Sequence, residues 1–146
     1  AYLNRLGFGG IDVSVSEKEM NADIAKQYVN RASPADVVRF LKTVREGDIL
    51  TPENRKFFDK IMTATVTGGD KLKAGLLQGT VFGHKTGSSS RTAEGIKIAD
   101  NDAGFVILPD GRTYYIAVMV SDSRMSDREN AALAAEISAV VYNRLR

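Results

Sequence analysis

The sequence has 146 residues, of which 43% are apolar and 26% are charged, values typical of one folded domain with its own core. A net formal charge of +2 without a Lys/Arg cluster, and the lack of an apolar run near the roughly 20 residues of a membrane span, give no reason to expect nucleic acid or a membrane as a partner. The absence of Cys excludes disulfides and thiolate chemistry, and a single His disfavours a His-rich metal site.

The first residues have the pattern of a helix end. Tyr2, Leu3 and Leu6 follow helical spacing, and Gly7 is a typical helix stop. Ala1 is not an initiator methionine, and nothing here has the pattern of a signal peptide. We therefore expect the chain to be the C-terminal portion of something longer.

Helices dominate the predicted N-terminal region, residues 1–78. Residues 11–16 alternate in polarity and fit a strand or a loop, and residues 17–31 lack a sustained apolar face, which indicates a surface loop with a helical turn or two. Ser33-Pro34 and Thr51-Pro52 each place an N-cap residue before a proline, which predicts two helices. A short helix is predicted over 71–77.

Strands dominate the predicted C-terminal region, residues 79–146. We expect strands over 80–87, 102–108 and 113–120, with a polar connection over 88–100 and a tight turn at 109–111. Ser126 and Glu129 have the spacing of a capping box and open a closing helix. The predicted fold class is α+β, an antiparallel sheet with flanking helices.

Lys85-Thr86-Gly87 stands at the end of the first predicted strand. A cation, a hydroxyl and a glycine there suit a carboxylate ligand, because Gly87 lets the ligand lie close to the main chain. The next amide, that of Ser88, would point at the ligand. The tripeptide alone also fits an ordinary strand end with a solvated lysine. Lys-Thr-Gly is one of three signatures of the penicillin-recognising serine enzymes, together with S-x-x-K and S-D-N.

The flanking residues make the pattern more specific. His84 to Ser89, Asn101-Asp102-Ala103-Gly104 and Leu108 to Arg112 resemble, in order, the C-terminal part of the class A serine β-lactamases. Glu17-x-x-Met20-Asn21 resembles that family's deacylation loop. The resemblance covers essentially the whole chain. The sequence around His84 and over 65–77 is similar to that of the extended-spectrum, cephalosporin-hydrolysing branch of class A.

The resemblance implies roles for particular residues. Glu17 would activate the water that hydrolyses the acyl-enzyme, and Asn21 would help to hold that water. Lys85 and Thr86 would bind the substrate carboxylate, Gly87 would let the substrate lie close to the main chain, and the Ser88 amide would form half of an oxyanion hole. Without the resemblance, Glu17 reads as a solvated loop charge and Ser88 as part of a polar loop.

Other residues near this stretch are expected to support the strand or to add a contact to the carboxylate. His84 is expected to be structural, and Asp102 a buried hydrogen-bonding support of the strand. Many class A enzymes add an arginine for the carboxylate. Arg91, Arg124 and Arg128 are candidates, each also readable as a surface charge. The place where some relatives carry that arginine is Asp100 here.

The nucleophile and its partners are missing from the sequence. No serine has a lysine three residues on, and S-D-N does not occur; Ser121-Asp122-Ser123 comes nearest. We therefore expect the isolated chain to be inactive and the N-terminal half of the same enzyme to carry the nucleophile. The resemblance implies no metal or organic cofactor, and a periplasmic or secreted location. A penicillin-binding transpeptidase or carboxypeptidase fragment and a non-catalytic ligand-binding fragment remain alternatives.

Overall fold

The structure, a computed structural model, describes residues 2–146; Ala1, the first residue of the predicted N-terminal region, lies outside the described residues. The elements follow one another along the chain as α1 (Tyr2–Arg5), β1 (Ile11–Asp12), α2 (Glu17–Ala22), a 3₁₀ helix (Ile24–Tyr28), β2 (Arg31–Ala32), α3 (Pro34–Glu46), α4 (Pro52–Thr63), a second 3₁₀ helix (Leu72–Gly75), β3 (Val81–Ser88), β4 (Lys97–Ile107), β5 (Thr113–Ser123) and α5 (Asp127–Leu145).

The long strands form an antiparallel sheet in the order β3-β4-β5. Helices cover both of its faces: α3 and α4 pack on one, while α5 and the second 3₁₀ helix pack on the other. Each face is covered because side chains alternate along a strand, so that β4 and β5 supply residues to two separate cores. The prediction of an α+β fold, an antiparallel sheet with flanking helices, is confirmed.

The core under α5 is aliphatic and aromatic. Phe82, Val106 and Ile116 come from the three strands and pack against Leu72 and Tyr142. Leu72 and Val106 are fully buried. This core anchors the second 3₁₀ helix and the closing helix to the sheet.

The core under α3 and α4 is centred on Phe105, which is 1% exposed and packs against Leu41 and Met62. The guanidinium of Arg45 lies 3.9 Å from the centre of the Phe105 ring. Asp59 holds that guanidinium with two hydrogen bonds of 2.8 and 3.1 Å. The Phe105 ring is therefore held both by Leu41 and Met62 and by the Arg45 guanidinium.

Two strand boundaries differ from the sequence prediction by more than one residue. β4 begins at Lys97, although residues 88–100 were predicted to be a polar connection, and β5 extends to Ser123. The start of β4 was predicted too late because Asp100 and Asn101 are types that strands generally avoid. Here Asp100 and Asp102 are buried and hydrogen-bonded, so that they tolerate a strand interior.

A small second sheet closes the segment between residues 13 and 30. Ile11 pairs with Ala32 and Asp12 with Arg31, antiparallel. The open choice for residues 11–16 is thereby resolved as a two-residue strand followed by a loop. Within residues 2–146, no helix combines the length and apolar character that crossing a membrane would require.

Candidate functional site

The segment that carries Glu17 is a short, well-capped helix. Ser16 is the N-cap of α2, and Glu19 completes a capping box by accepting a hydrogen bond of 2.8 Å from the Ser16 N–H. Glu17 is the first helical residue and Asn21 stands four residues later. Residues four apart share a helix face, so both side chains face the same way.

The two ends of this segment are joined by the side-chain amide of Asn30. Its Oδ1 accepts hydrogen bonds from the Ser14 and Val15 N–H groups at 2.8 and 3.1 Å, and its Nδ2 donates to the Val15 carbonyl at 2.9 Å. The side-chain amide of Asn30 therefore supplies the hydrogen bonds that a neighbouring strand would otherwise make where the two ends of the loop meet.

A second contact fastens the segment to the main sheet. The Tyr28 hydroxyl donates to Asp122 Oδ1 at 2.6 Å, and this hydrogen bond raises the pKa of Tyr28 above its ordinary value. Asp122 has a φ of 50°, in the left-handed region that few residues other than Gly and Asn adopt. The contact is therefore made at a residue of β5 whose backbone departs from regular strand geometry.

The end of β3 has an open edge and an open face. Ser88 pairs with Asp100, and the next residue, Ser89, donates its N–H to the Ala99 carbonyl at 2.8 Å. Hydrogen-bonded pairs alternate in an antiparallel ladder, so the Ser88 N–H points away from β4, towards the sheet edge. A Cβ built on Gly87 would meet nothing within 4 Å.

Lys85 and Thr86 precede these residues. The Lys85 ammonium is exposed and donates to the Thr86 carbonyl at 2.5 Å. The hydroxyls of Thr86 and Thr67 lie 2.9 Å apart. Gly68 has a φ of +67° and so little space beside Thr86 that a Cβ would clash with it. The absence of a side chain at Gly68 therefore lets the loop after α4 pack closely against the end of β3.

A buried pair supports the strand from below. His84 Nδ1 lies 2.9 Å from Asp102 Oδ1, and its ring stacks on Phe82 with the centroids 4.3 Å apart. Asp102 also accepts a hydrogen bond from the Leu72 N–H at 3.3 Å. The prediction that Asp102 is a buried hydrogen-bonding residue is confirmed, and His84 is packed into the same core.

Sequence reasoning missed a second buried carboxylate. Asp100 is 6% exposed and forms an ion pair with Lys71. It also accepts hydrogen bonds from Ser88 Oγ at 3.1 Å and from Asn130 Nδ2 at 3.5 Å. No local spacing signals this group, because Lys71 and Asn130 are far from Asp100 in sequence.

One pocket joins the loop to the strand end. It has a volume of about 370 Å³, and its lining includes Glu17 and Asn21 on one side and Gly87 and Ser88 on the other. Lys85 and Thr86 are not part of that lining. The structure thus brings four of the six predicted site residues to one pocket; the roles of all six stay predictions.

None of the three candidate arginines lines this pocket in the described chain. Arg91 is held by Asp127 at 2.6 Å and by the Gly95 carbonyl at 2.9 Å. Arg124 donates to the Glu94 carbonyl at 3.4 Å. Among residues 2–146, no group of three His, Cys, Asp or Glu side chains is arranged to hold a metal ion.

Known proteins are similar to this chain over nearly its whole length. The model of the beta-lactamase enzyme family matches residues 1–145. The chain is 45% identical over 146 residues to a beta-lactamase of Bacteroides uniformis, covering 99% of this chain and 49% of that protein. It is 37% identical over 141 residues to the extended-spectrum beta-lactamase PER-1 of Pseudomonas aeruginosa, covering 97% of this chain and 46% of that protein.

Solved structures of beta-lactamases are also similar to nearly the whole chain. A class A beta-lactamase from Bacteroides cellulosilyticus is 45% identical and superposes with a TM-score of 0.94, over 99% of this chain and 52% of that one. The TLA-3 extended-spectrum beta-lactamase is 38% identical, with a TM-score of 0.96 over the same shares of the two chains.

The chain belongs to the beta-lactamase enzyme family. Within that family its relatives place it in class A, and its fold matches the C-terminal part of theirs. The similarity to the extended-spectrum branch is confirmed, since PER-1 and TLA-3 carry that description. The chain spans about half the length of the curated relatives it matches.

Proposed function

We propose that the complete protein hydrolyses β-lactam antibiotics by serine acylation followed by glutamate-assisted deacylation. This chain would supply the deacylation loop and the Lys85-Thr86-Gly87 strand, and an N-terminal part would supply the nucleophilic serine. One observation carries the proposal: in a class A chain, a single pocket joins Glu17 and Asn21 to Gly87 and Ser88.

The deacylation step follows from this arrangement. Glu17 takes a proton from a water that Asn21 helps to hold, and the water oxygen attacks the carbonyl carbon of the acyl-enzyme. The Ser88 N–H donates to the carbonyl oxygen as it becomes negative. The ester bond then breaks, and the proton passes to the departing serine oxygen. A positioned base contributes roughly 10²–10⁴ to such a rate.

The proposed substrates are anionic β-lactams, with cephalosporins among them. The Lys85 ammonium and the Thr86 hydroxyl would hold the substrate carboxylate beside the pocket. Support for cephalosporins comes from the similarity to the extended-spectrum enzymes PER-1 and TLA-3. We further propose a periplasmic location, which fractionation of the cells that make the protein tests directly.

The experiment is intact-mass spectrometry of the complete protein after brief exposure to a penicillin and to a cephalosporin. Glu17→Gln is expected to accumulate an acyl adduct that persists, while the wild type releases it. Glu53→Gln is the matched control, because Glu53 is also an exposed glutamate in the first turn of a helix. Equal adduct lifetimes in the wild type and in Glu17→Gln would refute the role of Glu17.

The remaining outcomes separate the alternatives. The 146-residue chain on its own is expected to form no adduct, because none of its serines has a lysine three residues on. A persistent adduct on the complete wild-type protein, unchanged by Glu17→Gln, would favour a penicillin-binding transpeptidase or carboxypeptidase. Failure of the complete protein to form any adduct would favour a non-catalytic binding protein.

A further inference from the structure

Asp100 is buried directly beneath the last residue of β3. Its side chain is 3% exposed, and that of its ion-pair partner Lys71 is 12% exposed. Three elements of the fold send a donor to this carboxylate: Lys71 at the start of the second 3₁₀ helix, Ser88 at the end of β3, and Asn130 in α5. Lys71 Nζ also lies 3.4 Å from the Asn101 carbonyl.

We infer that Asp100 is a positioning residue for Ser88, and that Lys71 neutralises Asp100 so that an anionic ligand can bind above it. This inference rests on the proposed function and deepens it. It assigns a task to two buried charged residues that the proposed reaction does not otherwise use.

The positioning part follows from strand geometry. Ser88 is the last residue of β3, and strand ends are the parts of a sheet that open most easily. The hydrogen bond of 3.1 Å from Ser88 Oγ to Asp100 Oδ1 ties its side chain to the α5 side of the sheet. With the side chain tied down, the Ser88 N–H is held at the edge of the sheet, beside the pocket.

The acceptor is itself rigid. Asn130, which donates to Asp100 at 3.5 Å, is 2% exposed, and its Oδ1 accepts a hydrogen bond from Ser123 at 2.8 Å. A buried network whose members are all partnered holds a single geometry. Asp100 is therefore a fixed point to which the end of β3 is attached.

The charge part follows from burial. A carboxylate out of contact with water is stable only when it is paired and hydrogen-bonded. Without Lys71, its negative charge would stand beneath Ser88 and oppose the carboxylate of the substrate. Lys71 cancels that charge, which leaves Lys85 and Thr86 to attract the ligand.

The test uses the complete enzyme, with kcat and KM measured on an anionic cephalosporin. Lys71→Met is expected to raise KM about tenfold, the scale of one charge at a partly screened site, and added salt is expected to reduce this effect. Lys71→Met combined with Asp100→Asn is expected to restore KM to about the wild-type value, because the charge is removed while an acceptor for Ser88 is kept.

The positioning claim is tested in the same background. Lys71→Met combined with Asp100→Ala has the same net charge as the Asn combination but no acceptor for Ser88. Its kcat is expected to fall at least about tenfold below that of the Asn combination, since losing one oxyanion donor costs roughly 10²–10³ in rate. Both combinations lack a buried unpaired charge, so they remain usable where the single variant does not fold. Arg45→Met combined with Asp59→Asn, which removes another partly buried ion pair, controls for general destabilisation and should leave KM unchanged.

Two results would overturn the inference. If KM stays raised after Asp100→Asn is added to Lys71→Met, Lys71 contacts the ligand directly instead of neutralising Asp100. If the Asn and Ala combinations have equal kcat, Asp100 does not position Ser88. A wild-type enzyme that neither turns over a β-lactam nor forms an adduct would instead refute the proposed function, and with it this deeper assignment.

Discussion

Two glycines of β3 should respond in opposite ways to the same substitution. Gly83 and Gly87 are four residues apart and project from the same face of the strand. A Cβ at Gly87 would meet nothing within 4 Å, whereas a Cβ at Gly83 would lie under 3.0 Å from the ring of Phe105. The ring has no room to retreat, because it is buried and the Arg45 guanidinium covers it.

The magnitudes follow from these surroundings. Gly87→Ala adds no strain and is expected to stabilise the strand by about 0.5–1 kcal/mol, the usual cost of glycine in a strand interior. Gly83→Ala overpacks the core and is expected to cost about 1–3 kcal/mol. The two free energies of unfolding should therefore differ by about 1.5–4 kcal/mol.

The effects on activity should be reversed. The Gly87→Ala methyl group enters the pocket where the ligand is proposed to lie. The kcat/KM for a β-lactam is therefore expected to fall by about tenfold or more, the usual effect of one carbon atom too many in a binding pocket. Gly83→Ala should keep the kcat/KM of the molecules that remain folded. Urea unfolding of the complete protein, together with hydrolysis rates, measures both quantities. Equal loss of stability in the two variants, or full activity of Gly87→Ala, would refute the reasoning.

Two further predictions concern the supports of the site. Asp102→Ala leaves His84 Nδ1 and the Leu72 N–H without their partner and should lower the free energy of unfolding by about 2–6 kcal/mol, from two penalties of about 1–3 kcal/mol each; a loss below about 1 kcal/mol in urea unfolding would contradict the buried pair. Hydrogen bonds from the Ser126 hydroxyl, first, and from its N–H lower the pKa of Glu129 from the ordinary 4.5. The stability that this cap contributes is therefore complete above pH 4.5 and is lost as the pH falls through the folded-state pKa. Glu129→Gln should therefore flatten the acid side of the thermal-stability profile, and a parallel profile would show that the cap does not titrate in this way.

Local signals in the sequence were sufficient for the helix starts. Ser33, Thr51 and Ser126 were predicted as starts, and each is an N-cap whose side chain accepts a hydrogen bond from the main chain three residues on. Such contacts depend on neighbours in the chain, so their spacing is visible in the sequence. Glu17 and Asn21 were identified by resemblance, since out of context Glu17 has the pattern of a solvated loop charge.

Contacts between distant segments could not be predicted in this way. Lys71 and Asp100 meet because the second 3₁₀ helix packs under β4, and neither residue has a local pattern that indicates a buried ion pair. The same pair explains why β4 was predicted to start too late. Asp100 is a poor strand residue until the Lys71 ammonium, the Ser88 hydroxyl and the Asn130 amide satisfy its carboxylate.

The two sides of the pocket differ in how firmly they are held. The strand side is tied to two buried groups, of which Asp100 is also contacted by the buried Asn130 and Asp102 by the buried His84. The loop side is held by the Asn30 amide and by the exposed contact between Tyr28 and Asp122. Exposed hydrogen bonds open at a lower free energy than buried networks. The strand proposed to bind the ligand is therefore the more firmly held side of the pocket, and the loop proposed to carry the base is held by contacts that open at a lower free energy.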